Sequence, residues 1–124
     1  MDLMTKGIAA KLVKADLAFL ESGDGRTSNE IAVKYFNPVG NGRWYIVSGT
    51  PLDAVNGEPD HELGADAPDW HMFGYCDLEL GPGMAELGYV LLSELKSVKG
   101  LMGLGIERDL YYEGHTLDEV MEAV

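Results

Sequence analysis

The chain has 124 residues, of which 46% are hydrophobic and 24% charged, with one Cys and a formal net charge of −12. These values exclude a disordered chain and an internal disulfide, and predict one domain over residues 1–124 with enough apolar material for a core of its own. The acidity excludes direct binding to nucleic acid or an anionic membrane, and favours basic partners or cations.

In chain order, the first predicted element is a helix. Thr5 is its N-cap, Ile8, Leu12, Ala15 and Phe19 recur at helical spacing, and Lys6, Lys11, Lys14 and Asp16 fall largely on the opposite face. Ser22-Gly23-Asp24-Gly25 ends it. Glu30 to Phe36 alternates as a strand, with Ile31, Val33 and Tyr35 on one side. Asn37 to Gly42 is turn chemistry, and Arg43 to Ser48 returns as the second arm of a hairpin. Gly49 to Asp69 loses periodicity and reads as a long loop. Trp70 to Leu80 is a third strand, broken at Gly81-Pro82-Gly83, and Glu86 to Leu92 is its partner. Gly88 marks a bulge or a close backbone approach. Ser93 caps a short helix, Glu94 to Lys99, which ends near Gly100. Ile106 to Tyr112 is a short edge strand, and Thr116-Leu117-Asp118-Glu119 opens a last helix running to Val124. The fold class expected is α+β: an antiparallel sheet of about four to five strands, with the helices packed on one face.

The charge is unevenly placed. Residues 44–95 contain no Lys or Arg and ten acids, so they carry −10 of the net −12. The sequence starts Met-Asp-Leu-Met-Thr-Lys, without a secretory pattern, and its longest apolar runs are too short to span a bilayer, so a cytoplasmic location is expected.

Several segments resemble one bacterial family. They are Lys34-Tyr35-Phe36-Asn37-Pro38 with Trp44-Tyr45, Phe73-Gly74-Tyr75, Glu86-Leu87-Gly88-Tyr89, Ser93-Glu94-Leu95, Ser97-Val98-Lys99-Gly100 and Gly105-Ile106-Glu107-Arg108-Asp109-Leu110-Tyr111. Together with the Thr5-Lys6 helix start, they resemble the family called domain of unknown function 2958. The resemblance implies a plasmid or mobile-element setting. It implies no reaction, cofactor or catalytic residue. Within it, Glu107, Arg108 and Asp109 are expected to form a paired charge cluster.

Chemical motifs are sparse. His61 and His71 are ten residues apart and Cys76 follows five later, which is not the short spacing of a zinc site, and no calcium-loop order is present. On a strand, His71 and Cys76 point to opposite faces, so a thiolate–imidazole pair is not expected and Cys76 reads as a small buried hydrophobe. Neither a nucleophile elbow nor a P-loop occurs. The sequence therefore predicts no catalytic residue, metal or cofactor.

The expectation that follows is a non-enzymatic module of a mobile element or phage that binds a basic protein or a nucleic-acid-binding protein complex. Its surface would comprise Asp53, Glu58, Asp60, Glu62, Asp66, Asp69, Asp77 and Glu79, with Trp44, Trp70 and Tyr75 as candidate anchors. The narrowest form is an inhibitor of host defence (anti-CRISPR or anti-restriction) that mimics DNA. The alternatives are a small enzyme or ligand-binding protein using the His61, His71 and Cys76 region, or a plasmid accessory protein.

Overall fold

The computed structural model describes residues 2–23, 30–54, 56–78, 84–98, 104–110, 112 and 114–122. Helix α1 spans Lys6–Ser22. Thr5 Oγ1 accepts the Ile8 N–H at 3.2 Å, which satisfies one of the donors that a helix start leaves orphaned. Gly23 stops the helix at φ 75°, where its N–H reaches the Phe19 carbonyl.

The strands are β1 (Val33–Phe36), β2 (Arg43–Leu52), β3 (Asp69–Asp77), β4 (Glu86–Leu91) and β5 (Glu107–Arg108). They form one antiparallel sheet in the order β4-β3-β2-β1-β5. Helix α2 (Leu92–Ser97) follows β4 directly, and α3 (Leu117–Glu122) comes last. The α+β architecture read from the sequence is thus the one the chain adopts. In the β1–β2 hairpin, Asn37 N–H donates to the Gly42 carbonyl at 3.0 Å, and Gly42 takes φ 128° as its backbone passes the Trp44 ring.

Several expected details change. β2 runs four residues past Ser48, because Gly49 to Leu52 continue the ladder opposite Asp69 to Met72. The Ser93 cap is corrected: α2 begins at Leu92, the Glu94 carboxylate accepts the Leu91 N–H at 3.0 Å, and the Ser93 hydroxyl donates to Asp69 instead. Gly88 pairs regularly with Gly74, and a Cβ there would meet nothing. The bulge lies in β2 between Ile46 and Ser48, and the close approach is at Gly74. Two members of the triplet Glu107-Arg108-Asp109 also reach beyond it. Arg108 Nε donates to the Asp2 carbonyl at 2.6 Å, and Asp109 lies 3.9 Å from Lys34 Nζ. The Gly81-Pro82-Gly83 break, the Gly100 cap and the last two residues of the C-terminal helix lie outside the described residues.

The helices are not all on one face. Ala9 and Leu12 of α1 and Leu92 and Leu95 of α2 join Val33, Tyr35, Trp44, Ile46, Trp70 and Met72 in one core cluster. Leu117 of α3 packs instead with Tyr45, Val47, Phe73 and Tyr75 in a second cluster. Strand alternation explains the division: residues of opposite parity on β2 and β3 feed the two clusters, and both faces are covered. Trp44, Trp70 and Tyr75 are buried, so none is available as a surface anchor. The Trp70 indole N–H has no acceptor among the described residues, a cost of about 1–3 kcal/mol that is offset by burying so large a ring. The N-terminal segment is strapped down by Tyr35, whose hydroxyl donates to the Leu3 carbonyl at 2.5 Å; burial pushes this phenol far above its ordinary pKa. No helix among the described residues is long and apolar enough to cross a membrane.

Gly74 gives the sharpest test of this arrangement. A Cβ at that position would collide with the Tyr45 carbonyl and sit 2.9 Å from Ile46 Cα, and backbone inside a ladder cannot move aside cheaply. Gly74→Ala is expected to destabilise the fold by about 3 kcal/mol or more, lowering the melting temperature by roughly 10 °C, while Gly88→Ala stays within about 1 kcal/mol. Thermal denaturation followed by circular dichroism measures both.

Candidate functional site

The segment between β2 and β3 is a built loop. Asp53 N–H donates to the Glu58 carbonyl at 2.9 Å, and Asp53 Oδ1 accepts from the N–H groups of Asn56 at 2.9 Å and Glu58 at 3.4 Å. Gly57 supplies the left-handed turn at φ 65°. Asp60 N–H reaches back to the Pro51 carbonyl, Asp60 Oδ1 accepts the Glu62 N–H at 3.0 Å, and Leu63 N–H closes on the Asp60 carbonyl. Ala65 and Ala67 pack against the core. These bonds answer the question a long loop poses, namely where its backbone donors go.

Helix α1 supplies the anchor. Asp16 Oδ2 accepts from Thr50 Oγ1 at 2.9 Å and lies 2.7 Å from His61 Nε2, so one carboxylate ties helix, strand and loop together. Sequence reasoning placed Asp16 with the outward lysines. Its partners are 34 and 45 residues away, and no local pattern announces them.

The eight acids of the expected surface divide by position. Asp53, Glu58, Asp60, Glu62 and Asp66 belong to the loop between β2 and β3, and Asp69 opens β3. Asp53 and Asp60 hold loop turns. Asp69 accepts the Trp70 N–H at 2.8 Å, the Ser93 N–H at 2.9 Å and the Ser93 hydroxyl at 2.6 Å, so it joins β3 to the first turn of α2. Glu58, Glu62 and Asp66 are exposed. Asp77 stands at the other end of β3, roughly 26 Å along the strand, opposite Arg43 in the ladder. Glu79 lies outside the described residues. Six of the eight thus lie on the β2–β3 loop or at the residue that closes it, and three of these are exposed. Lys6 and Lys14 of α1 face Asp66 across a groove, so positive charge borders the patch on that side.

His61 and His71 line one cleft of about 230 Å3 with Asp16, Thr50 and Tyr89. The His71 and Tyr89 rings stack there, 4.4 Å apart and nearly parallel. Cys76 is elsewhere, five residues further along β3 and packed against the α1-side core cluster. Burial, with Glu86 and then Glu94 nearby, pushes its thiol up to about 11, so at neutral pH it is a protonated, poor nucleophile. Among the described residues no group of three or more His, Cys, Asp or Glu side chains could hold a metal ion.

Two outcomes are expected. Asp16→Ala removes the helix's tether to the loop at His61 and its bond to Thr50 of β2, so amide exchange at Asp60 and Leu63 should quicken about tenfold, equal to about 1.4 kcal/mol of local stability, with core strands unchanged. Unchanged exchange would mean that the loop's own turns suffice. For Cys76, alkylation at pH 8 should be roughly a hundredfold slower in the folded chain than in urea. Because its folded pKa lies above the ordinary 9.0, the unfolded chain releases this proton first; the contribution to stability is whole below pH 9 and is lost as pH climbs through about 11. Urea titrations at stepwise alkaline pH measure that loss.

Comparison with known proteins adds the family and nothing about chemistry. No curated protein and no solved structure matches the chain. The family described as "Protein of unknown function (DUF2958)" matches residues 3–122, nearly the whole chain. The segment-by-segment resemblance read from the sequence and the full-length match agree, and the chain belongs to the DUF2958 family.

Proposed function

We propose that the chain is a non-enzymatic protein-binding module that docks a basic protein on the loop between β2 and β3. One observation carries the proposal: Glu58, Glu62 and Asp66 stand exposed on a loop whose other carboxylates, Asp53 and Asp60, hold its turns, while Asp69 at the start of β3 fixes the strand to α2. A surface ordered in advance loses little entropy on binding. The absence of Lys and Arg from residues 44–95 leaves its field uncompensated within that segment, and complementary fields speed encounter and select partners.

In the narrower form of the proposal the partner is a nucleic-acid-binding complex of host defence, and the carboxylates stand where DNA phosphates would. The mobile-element setting implied by the family resemblance supports that form. It requires that a short DNA duplex and the chain compete for the same partner. A second proposal, ligand binding at the His61–His71 cleft, is favoured by those two rings sharing one concavity with Asp16 and Thr50; Cys76 has no part in it.

The triple substitution Glu58→Gln, Glu62→Gln and Asp66→Asn separates these proposals. Capture of a host protein should fall at least tenfold with the triple variant, and should fall steeply for the native chain between about 0.05 and 0.5 M salt, where screening shortens from beyond 10 Å to a few Å. His71→Ala should leave capture intact. Loss of capture with His71→Ala and retention with the triple variant would move the function to the cleft.

A further inference from the structure

We propose that α1 and the neighbouring Leu63–Asp66 stretch form a contact surface between two copies of this chain. The helix has two apolar faces. Ala9 and Leu12 are buried against the sheet with Val13 partly buried beside them, and Ala10, Leu17 and Leu20 form an exposed apolar stripe along the outside. The fold itself leaves this stripe open: Leu17 is 47% and Leu20 63% exposed. Beside the stripe, Leu63 and Ala65 form the opposite wall of a groove of about 730 Å3.

The charges on the two walls identify the occupant. Lys6 and Lys14 stand on the helix wall, Asp66 on the loop wall, and Glu62 on the same loop. None of these four has an ion-pair partner among the described residues. A uniformly basic segment laid along the groove would meet Lys6 and Lys14, and a uniformly acidic one would meet Asp66. A second copy carries both signs in the same arrangement. A two-fold axis along the groove sets the helix wall of each copy over the loop wall of the other, with Lys14 against the second copy's Asp66 and Leu17 against its Leu63, each contact occurring twice. Repulsion between two chains of net charge −12 opposes this at long range, but it is screened beyond about 8 Å at physiological salt, and α1 is where lysines gather. The inference goes beyond the docking of a basic protein and does not rest on it. Because the dimer covers Asp66, it would compete with such a partner for the loop.

Sedimentation velocity of the full chain, from about 1 to 300 µM in about 0.15 M salt, tests the proposal. The native chain should pass from monomer to dimer across that range. Lys14→Glu and Asp66→Lys should each weaken the dimer at least tenfold, since each sets like charges together twice. An equimolar mixture of the two variants should restore it, because both cross-pairs then join opposite charges. Leu17→Glu, at an exposed position that leaves the melting temperature near native, should abolish it alone and in mixtures. A native chain that stays monomeric throughout, a dimer indifferent to Lys14, Asp66 and Leu17, or a mixture that fails to restore what the single variants lose would each overturn the proposal. The basic-partner proposal would survive all three results, since it is read by capture and not by self-association.

Discussion

The pairing of β2 with β3 holds the rest of the structure in register. Its ladder is the longest in the sheet, running from Arg43 opposite Asp77 to Leu52 opposite Asp69. Near its middle the two backbones approach so closely that only glycine fits at position 74, and there β2 takes up its extra residue. A bulge shifts side-chain parity along a strand. Trp44 and Ile46 belong to the α1-side core before the bulge, and Gly49 lies beneath Leu12 and Met72 beyond it. The same ladder fixes the two ends of the acidic loop as neighbours, because Leu52 and Asp69 are paired.

From that constraint follows how the negative charge is presented. Carboxylates at both ends of the loop and at its turns accept backbone N–H groups, and each such bond orders a stretch that would otherwise be free. The acids not so engaged point outward. Charge density and loop order therefore share one cause, the use of Asp as a backbone acceptor in a segment rich in Gly and Pro. The tether from Asp16 to Thr50 and His61 adds a third support from the helix. An acidic loop without these bonds would be a diffuse cloud of charge with little power to select a partner.

Much of this was legible before any coordinates. The Thr5 cap, the Asn37–Gly42 hairpin, the β3–β4 pair and the antiparallel class rest on local chemistry, and local chemistry is what a sequence displays. Three things were hidden for one reason, which is that they depend on contacts distant in the chain. Gly49 to Leu52 looked like loop because Gly and Pro weaken a strand, yet pairing with Asp69 to Met72 overrides that preference. The pattern of elements implies helices on one face, but the second face of the sheet also carries apolar residues, Tyr45, Val47, Phe73 and Tyr75, which Leu117 of α3 covers. The run of acids suggested one surface, whereas strand geometry carries Asp77 to the far end, opposite Arg43. Asp69, Asp53 and Asp60 looked alike in sequence to Glu62 and Asp66. Only folding separates acceptors from outward charges.

In the proposed function, the loop between β2 and β3 is the surface that meets a partner. Amide chemical-shift mapping of the chain, titrated with the captured protein, tests this most directly. Perturbations should concentrate between Asn56 and Asp66, with β5 and the Arg43–Asp77 end of the sheet silent. Perturbations centred on that far end, or on His71 and Tyr89 with the loop undisturbed, would contradict it.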